Sequence, residues 1–316
     1  MKQLVMAEKL IYDTDPGIDD ALGLLLLAAS PEIDLLAITV THGNTTQEKC
    51  LKNALQLAEL AGISHIPVAR GASEPLVKEL SVAEETHGDG GLGYAVLPEA
   101  AITPATESAH DLIIRLVNEN PGQITLLCVG PMTNIALALL KEPQIAGKVK
   151  RVVAMGGAIH YPGNATPQSE YNVFCDPESY DIVMQSGIDM TLVPLDVTYQ
   201  CILTSEHVSK ISAARESVRN FVAESTRFYM EFHDEYQGIK GCAINDPLAA
   251  AIIIDPSLVT MVDYFVEIEL RSDTSKAKTI ADHYGALKKK PNARVAMQVN
   301  VERFMDLFIE RVNRLS

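Results

Sequence analysis

The stretch KLIYDTDPGIDD, from Lys9 to Asp20, leads from an apolar run straight into four carboxylates, Asp13, Asp15, Asp19 and Asp20, within eight residues. Two unit charges about 4 Å apart repel by about 4 kcal/mol at an effective dielectric of roughly 20, so four in one small space need protons or a positive partner. On a strand, residues two apart point the same way, which lets Asp13 and Asp15 share a side while Pro16 and Gly17 turn the chain. Asp19 and Asp20 then fall at the N-terminus of the next helix, where capping and the helix dipole by themselves favour acids. The residues that follow, Ala21 to Ala29, are almost wholly apolar. The start of that helix therefore lies close to a core, and its acids cannot splay into water.

Further short apolar runs, DLLAITVT, IPVARG, QITLLCVG, VKRVVAMGG and MTLVPLD, are spaced along the chain with helical patterns between them, for example Thr46 to Ala61 and Asp111 to Asn118. Strand and helix in alternation imply an α/β fold, with a mostly parallel central sheet flanked by helices on both faces. DYFVEIEL and ARVAMQVN read as further strands and Val301 to Leu315 as a closing amphipathic helix. No Pro/Ser-rich or charged linker divides the 316 residues, which predicts one domain over residues 1–316.

In such sheets, sites form beyond the carboxyl ends of the strands. Polar residues gather there: Asp13 and Asp15 after the first run, His42, Gly43 and Asn44 after the second, Gly130, Thr133 and Asn134 after QITLLCV, and Asp196 after TLVPL. CAINDPLAAAIII, Cys242 to Ile254, puts Asn245 and Asp246 at the head of a helix apolar all round, with Pro247 suited to its first turn.

Composition narrows the partners. The apolar fraction is 47% and the formal charge −15, which argues against a nucleic-acid partner, and the one basic run, Lys288 to Lys290, reads as a solvated turn before Pro291. No signal segment opens the chain and no apolar run approaches the ~20 residues of a membrane span, so a soluble, cytoplasmic protein is expected, with no membrane partner. The five cysteines show no CxxC pairing, which fits a reducing compartment and core positions rather than zinc or disulfides.

With no Cys or His among the acids and Asp246 available as a further carboxylate, the donors around Asp15 are hard oxygens, which select Ca²⁺ or Mg²⁺ over Zn²⁺. A second constellation, NATPQSEYNVFCD from Asn164 to Asp176, offers amide, acid and amide side chains at Asn164, Glu170 and Asn172, suited to the vicinal hydroxyls of a sugar.

Six ordered pieces, DTDPGIDD, the HGN at 42–44, VGPMTN at 129–134, MGG at 155–157, the GN…EYNVFCDPE run at 163–178 and the NDP at 245–247, together resemble the inosine-uridine preferring nucleoside hydrolases, from about residue 9 to 260. The resemblance implies a Rossmann-like fold and calcium-dependent hydrolysis of the N-glycosidic bond of ribonucleosides to base and ribose, in nucleoside salvage, by a homodimer or homotetramer. It implies Asp15, Asp20, the Val129 carbonyl and Asp246 as ligands of Ca²⁺, with Asp15 also the general base for water and Asp13 supporting this shell. Asp19, Asn44, Asn164, Glu170 and Asn172 would hold the ribose and the water, so that Asn44 stands beside Asp15 at the reaction, and Met155 would line the sugar pocket.

The chemistry agrees with these residue types. Glycosidic cleavage passes through an oxocarbenium-like state that nearby carboxylates stabilise, and a metal lowers the pKa of water. A site built around ribose hydroxyls disfavours 2′-deoxy substrates, which would leave its polar groups unpaired.

On the base side the chain departs from the family. Many members carry His immediately before the last metal Asp, where this chain has Asn245, an amide with no proton to give near pH 7. His87, in SVAEETHGDGGLGY, matches a position facing the base, and FYMEFHDEY places Tyr229, His233 and Tyr236 at spacings of four and three on one helix face. Two other functions share some of these signs. The DxD after the first strand also suits a Mg²⁺-dependent Asp-nucleophile phosphatase, though no convincing Lys stands at a later strand end. Asn245 in place of His also suits a nucleoside or sugar binder without turnover.

Overall fold

Apolar runs that would be buried on both faces do become the strands of one large sheet. The computed structural model describes residues 7–316. Its strands are β1 (Glu8–Thr14), β2 (Ile33–Val40), β3 (Val68–Arg70), β4 (Ile124–Cys128), β5 (Arg151–Met155), β6 (Met190–Val193), β7 (Ile202–Leu203), β8 (Cys242–Ala243), β9 (Val259–Tyr264), β10 (Val266–Ile268), β11 (Thr279–Ala281) and β12 (Ala293–Val299). The helices are α1 (Ile18–Ala28), α2 (Gln47–Leu60), α3 (Glu84–His87), α4 (Ala109–Glu119), α5 (Thr133–Lys141), α6 (Tyr171–Cys175), α7 (Pro177–Gln185), α8 (Leu195–Thr198), α9 (Ser205–Ser209), α10 (Glu216–Gln237), α11 (Asn245–Ile254) and α12 (Val301–Val312).

Eight strands form the main sheet in the order β3-β2-β1-β4-β5-β6-β12-β9. All neighbours are parallel except β9, which runs antiparallel to β12 at one edge. From β1 the chain winds outward through β2 and β3, then returns to lay β4 on the other side of β1. That reversal opens a crevice beyond the carboxyl ends of β1 and β4, where open α/β sheets bind ligands.

Alternation along β1 feeds two cores. Leu10 and Tyr12 pack with α1, α2, α11 and α12 on one face, and Ile11 packs with α4, α5 and α7 on the other. Helix α1 is buried from Ile18 to Leu27 and α11 from Asn245 to Ile253. Each buried Leu or Ile stabilises the fold by roughly 1.5–3 kcal/mol. The two helices pack on each other, and Gly23 keeps them close: a Cβ there would stand 2.9 Å from the Tyr12 hydroxyl and 3.6 Å from the Asp246 backbone. Tyr12 donates to the Asp20 carbonyl at 2.9 Å, which ties β1 to the start of α1.

The six strand runs read between Lys9 and Asp196 all form strands of the main sheet. DYFVEIEL does not remain one strand. It breaks at Phe265 because the Val266 N–H turns to the Asn292 side chain (2.8 Å), and β10 pairs with β11 in a separate antiparallel ribbon. The closing helix stops at Val312, after which Leu315 turns back to accept from the Arg215 N–H at 2.8 Å. Among the described residues no helix is long and apolar enough to cross a membrane.

Candidate active site

The N-termini of α1 and α11 meet at the crevice, and they bring Asp19, Asp20 and Asp246 together: one carboxylate oxygen from each lies within 4.8 Å of the others, and all three side chains are buried. Asp15, just past the end of β1, lies against this cluster, its own N–H donating to Asp20 Oδ1 at 3.2 Å. Burial and the neighbouring carboxylates push Asp15 and Asp246 well above the ordinary carboxylate range, and burial raises Asp19 and Asp20 as well. The capping role open to these acids is taken by Asp20 alone, whose Oδ2 accepts from the Gly17 N–H (2.9 Å) and from Asn44 Nδ2 (2.7 Å), while Oδ1 accepts from Thr14 Oγ1 (2.5 Å).

Asp15 is held differently. Its Oδ2 accepts from the Asn44 N–H at 2.7 Å, and its Oδ1 is buried without a hydrogen-bond partner. Gly43 and Gly130, after β2 and β4, approach so closely that a Cβ on either would collide with this carboxylate. An orphaned carboxylate oxygen beside three convergent buried acids is an all-oxygen donor set. It suits a hard divalent cation, whose charge offsets the repulsion that otherwise favours protons.

A cavity of about 390 Å³ opens in front of the acids. Of the residues expected at the site, Asp19, Asn44, His87, Val129, Met155, Asn164, Glu170, Asn172, Tyr229, His233, Asn245 and Asp246 line it. Asp15 and Asp20 lie behind this surface. Asp13 lies deeper still: its Oδ2 accepts from Thr39 Oγ1 (2.6 Å) and Asn134 Nδ2 (2.9 Å), and burial raises it to about 6.

On the side of the cavity formed by residues 155–172, Glu170 caps α6. Its carboxylate accepts from the N–H groups of Asn172 (2.8 Å), Val173 (3.1 Å) and Gly157 (3.0 Å), and burial outweighs these bonds, raising it to about 7. Asn172 Nδ2 donates to the carbonyls of Val129 (2.8 Å) and Met155 (3.2 Å), and Asn164 Oδ1 accepts from the Tyr171 N–H at 2.9 Å. Asp196 supports the wall by accepting from the backbone N–H groups of Ile159 (2.8 Å) and His160 (2.7 Å).

Two backbone contacts fix the histidine tautomers on the opposite side. The Ile18 N–H, in the first turn of α1, donates to His87 Nδ1 at 3.1 Å, which leaves the His87 proton on Nε2. His233 contacts the Tyr229 carbonyl through Nδ1 at 2.8 Å, so the proton is on Nδ1 and Nε2 is left as an acceptor. Burial lowers both to about 4, so both rings are neutral at pH 7. Asn245 Nδ2 donates to Asp19 Oδ2 at 2.8 Å and its Oδ1 has no partner.

The structure corrects one member of this group. Tyr236 is 65% exposed and does not line the cavity, because at the exposed end of α10 its ring packs on the Phe232 ring instead. Gln237 lines it instead, continuing the four-residue ladder of Tyr229 and His233. Ser81, Val82, Ala83, Glu85 and Thr86, with Ala165, Tyr171, Phe174, Tyr199 and Phe232, complete the lining. Tyr199 follows Asp196 at the mouth of β6 and was within reach of the strand-end rule; residues 81–86 carry no periodic signal.

Residues 10–306 match the family model described as inosine-uridine preferring nucleoside hydrolase. The chain is 39% identical to the pyrimidine-specific ribonucleoside hydrolase RihA of Citrobacter koseri over 308 residues, 97% of this chain and 98% of that protein. Among solved structures it is similar to a purine-preferring ribonucleoside hydrolase from Gardnerella vaginalis, with a TM-score of 0.93 and 34% identity over 98% of this chain and 99% of that one. It is also similar to the plant nucleoside hydrolase PpNRh1, with a TM-score of 0.91 and 33% identity over 97% and 99% of the two chains.

Proposed function

Because this chain belongs to the inosine-uridine preferring nucleoside hydrolase family and is an N-ribosyl hydrolase, we propose that it hydrolyses ribonucleosides with a bound Ca²⁺ and with Asp15 as general base. The observation that carries the reading is the buried quartet Asp15, Asp19, Asp20 and Asp246, with Asp15 Oδ1 lacking any protein partner, at the floor of a cavity walled by amides. Asp15, Asp20, Asp246 and the Val129 carbonyl would hold the cation, and Asp19 stands among the same acids. When bound, Ca²⁺ supplies Lewis-acid chemistry, acidifying water and chelating vicinal hydroxyls.

The protein's own groups do the rest. Asp15 takes the proton of the attacking water as the glycosidic bond breaks, and Asn44, bonded to Asp15 and Asp20, keeps the base aligned. Asp19, Asn164, Glu170 and Asn172 hold the ribose, with Met155 against its apolar edge. The carboxylates around the sugar stabilise its oxocarbenium character, and attack opposite the departing base inverts the anomeric carbon. His87, neutral through burial and with its tautomer set by the Ile18 N–H, offers the base a hydrogen bond from Nε2, and the departing base, which leaves with the electron pair of the glycosidic bond, takes its proton from solvent; Tyr229, His233 and Asn245 border it. Asp13 anchors the floor through Thr39 and Asn134.

The two relatives named for a base differ, one pyrimidine-specific and one purine-preferring. The test is therefore a panel of both ribonucleoside classes assayed for free ribose, with and without chelator. We expect cleavage of at least one substrate, loss on chelation that Ca²⁺ restores, and a fall of 10³-fold or more in kcat for Asp15→Asn; a fully active Asp15→Asn enzyme sinks the mechanism. A salvage role for a cytoplasmic homodimer or homotetramer completes the proposal, supported in compartment by five free, buried cysteines.

A further inference from the structure

Beneath the acids lies a chain of buried polar groups that the reaction leaves without a task. His42 Nε2 lies 3.2 Å from Thr133 Oγ1, and Thr133 Oγ1 donates to Asp176 Oδ2 at 2.7 Å. All three residues are fully buried. The direction of each bond is fixed by chemistry. The Asp176 carboxylate, which also accepts from the N–H groups of Leu76 (3.1 Å) and Ser179 (3.1 Å), accepts the hydrogen bond of the Thr133 hydroxyl. Thr133 must then accept from an N–H on His42 Nε2, so His42 is neutral with its proton on that nitrogen, in line with the burial that lowers it to about 4.

This chain joins the same two loops that grip Asp15. His42 precedes Gly43 and Asn44, whose backbone closes on Asp15 Oδ2, and Thr133 follows Gly130, where a Cβ would collide with Asp15 Oδ1. The loops after β2 and β4 thus form a clamp on one carboxylate, and the His42–Thr133 bond is the tie between them one layer further in. Asp176, as the N-cap of α7, anchors that tie to a third element.

We propose that His42 and Thr133 are positioning residues: their hydrogen bond sets the spacing of the β2 and β4 loops and so holds Asp15 in line with the attacking water. The proposal rests on the assignment of Asp15 as general base. Neither residue lines the cavity, so loss of the tie lowers turnover without removing a substrate contact.

The test uses the full-length enzyme and two pairs of variants. Thr133→Val is nearly isosteric and deletes the hydroxyl, whereas Thr133→Ser keeps it. His42→Leu deletes the donor, whereas His42→Gln places an amide N–H at about the same reach. The expected result is a tenfold or greater fall in kcat for Thr133→Val and His42→Leu with KM within threefold of wild type, and near wild-type kcat for Thr133→Ser and His42→Gln. The double variant His42→Leu/Thr133→Val should be no slower than the slower single one, because both remove the same bond. Thermal unfolding identifies any variant that fails to fold, and if His42→Leu does so the Thr133 pair decides.

A wild-type kcat in Thr133→Val, with Asp15→Asn inactive, overturns the tie and leaves Asp15 standing. Equal damage from Thr133→Ser and Thr133→Val also overturns it, by assigning the effect to packing. Full activity in Asp15→Asn overturns the underlying assignment instead.

Discussion

At the scale of the residue, Asn245 supplies geometry rather than a proton. Asn245 cannot deliver a proton, but its amide donates to Asp19 Oδ2 at 2.8 Å and thereby turns that carboxylate within the acid cluster. Hydrogen bonds to charged groups contribute roughly 1.5–3 kcal/mol, so Asn245→Ala should lower kcat/KM by about tenfold or more. Steady-state kinetics on the best substrate decides it, since an unchanged kcat/KM means that Asp19 is oriented by other contacts. The acids were legible in the sequence because DTDPGIDD is local and its apolar sequel pins it to the core. The His87 tautomer was not, because it depends on the Ile18 N–H, 69 residues away in the chain. Tyr236 misled for a related reason: spacing says which residues share a helix face, and only packing says where that face stops being covered.

At the scale of the element, the site depends on where helices begin and how closely loops approach. The N-termini of α1 and α11 aim their partial positive charge at the acids, a smaller version of what a cation does. Gly43 has φ 152° and stands against the Asp15 carboxylate, so Gly43→Ala both strains the backbone and evicts that carboxylate. The variant should fold, lose at least 10²-fold in kcat and need more Ca²⁺ for half-maximal activity, as read by a metal titration of the assay. An unchanged Ca²⁺ requirement would mean that Asp15 is no ligand. Strand runs were legible because buried parallel strands read as continuous apolar segments. The split of DYFVEIEL was not, since it turns on the Asn292 side chain taking one backbone N–H.

For the whole molecule, buried acids make stability depend on pH and cation together. Asp13 at about 6, Glu170 at about 7 and Asp15 and Asp246 well above their ordinary range bind protons more tightly folded than unfolded. Their contribution is present in acid and is lost as pH rises through these raised values. His42, His87 and His233, lowered to about 4, work in the opposite sense: their contribution is present above about 6.5 and lost as pH falls toward 4. Above pH 6.5 only the acids still act, each lowering stability by about 1.4 kcal/mol per pH unit while it stays protonated in the folded state. In chelator, the melting temperature should therefore fall as pH rises from 6.5 through the titration of Glu170 near 7 and of the higher Asp15 and Asp246, and saturating Ca²⁺ should reduce that fall by removing the share of Asp15 and Asp246. A flat profile in chelator would contradict the burial of these acids. The α/β class followed from the alternation of strand and helix, and the strand-end rule drew the site's outline. Its cavity needed three dimensions, because lining residues run from Asp19 to Asp246.

The meeting of α1 and α11 also bears on the route by which the chain folds. Asp19 and Asn245 are 226 residues apart in sequence, so the acid cluster has no counterpart until the sheet between them is complete. A cation that prefers the finished cluster finds little to bind in the unfolded chain or in an early folding nucleus. Ca²⁺ should consequently leave the rate of refolding almost untouched and slow the rate of unfolding, as expected for an interaction absent from the transition state. Stopped-flow refolding and unfolding with and without Ca²⁺ would read this directly, and faster refolding with Ca²⁺ would mean that the cluster forms early. On that outcome the ion would be a latch closed last, setting how long the enzyme stays folded rather than how it gets there.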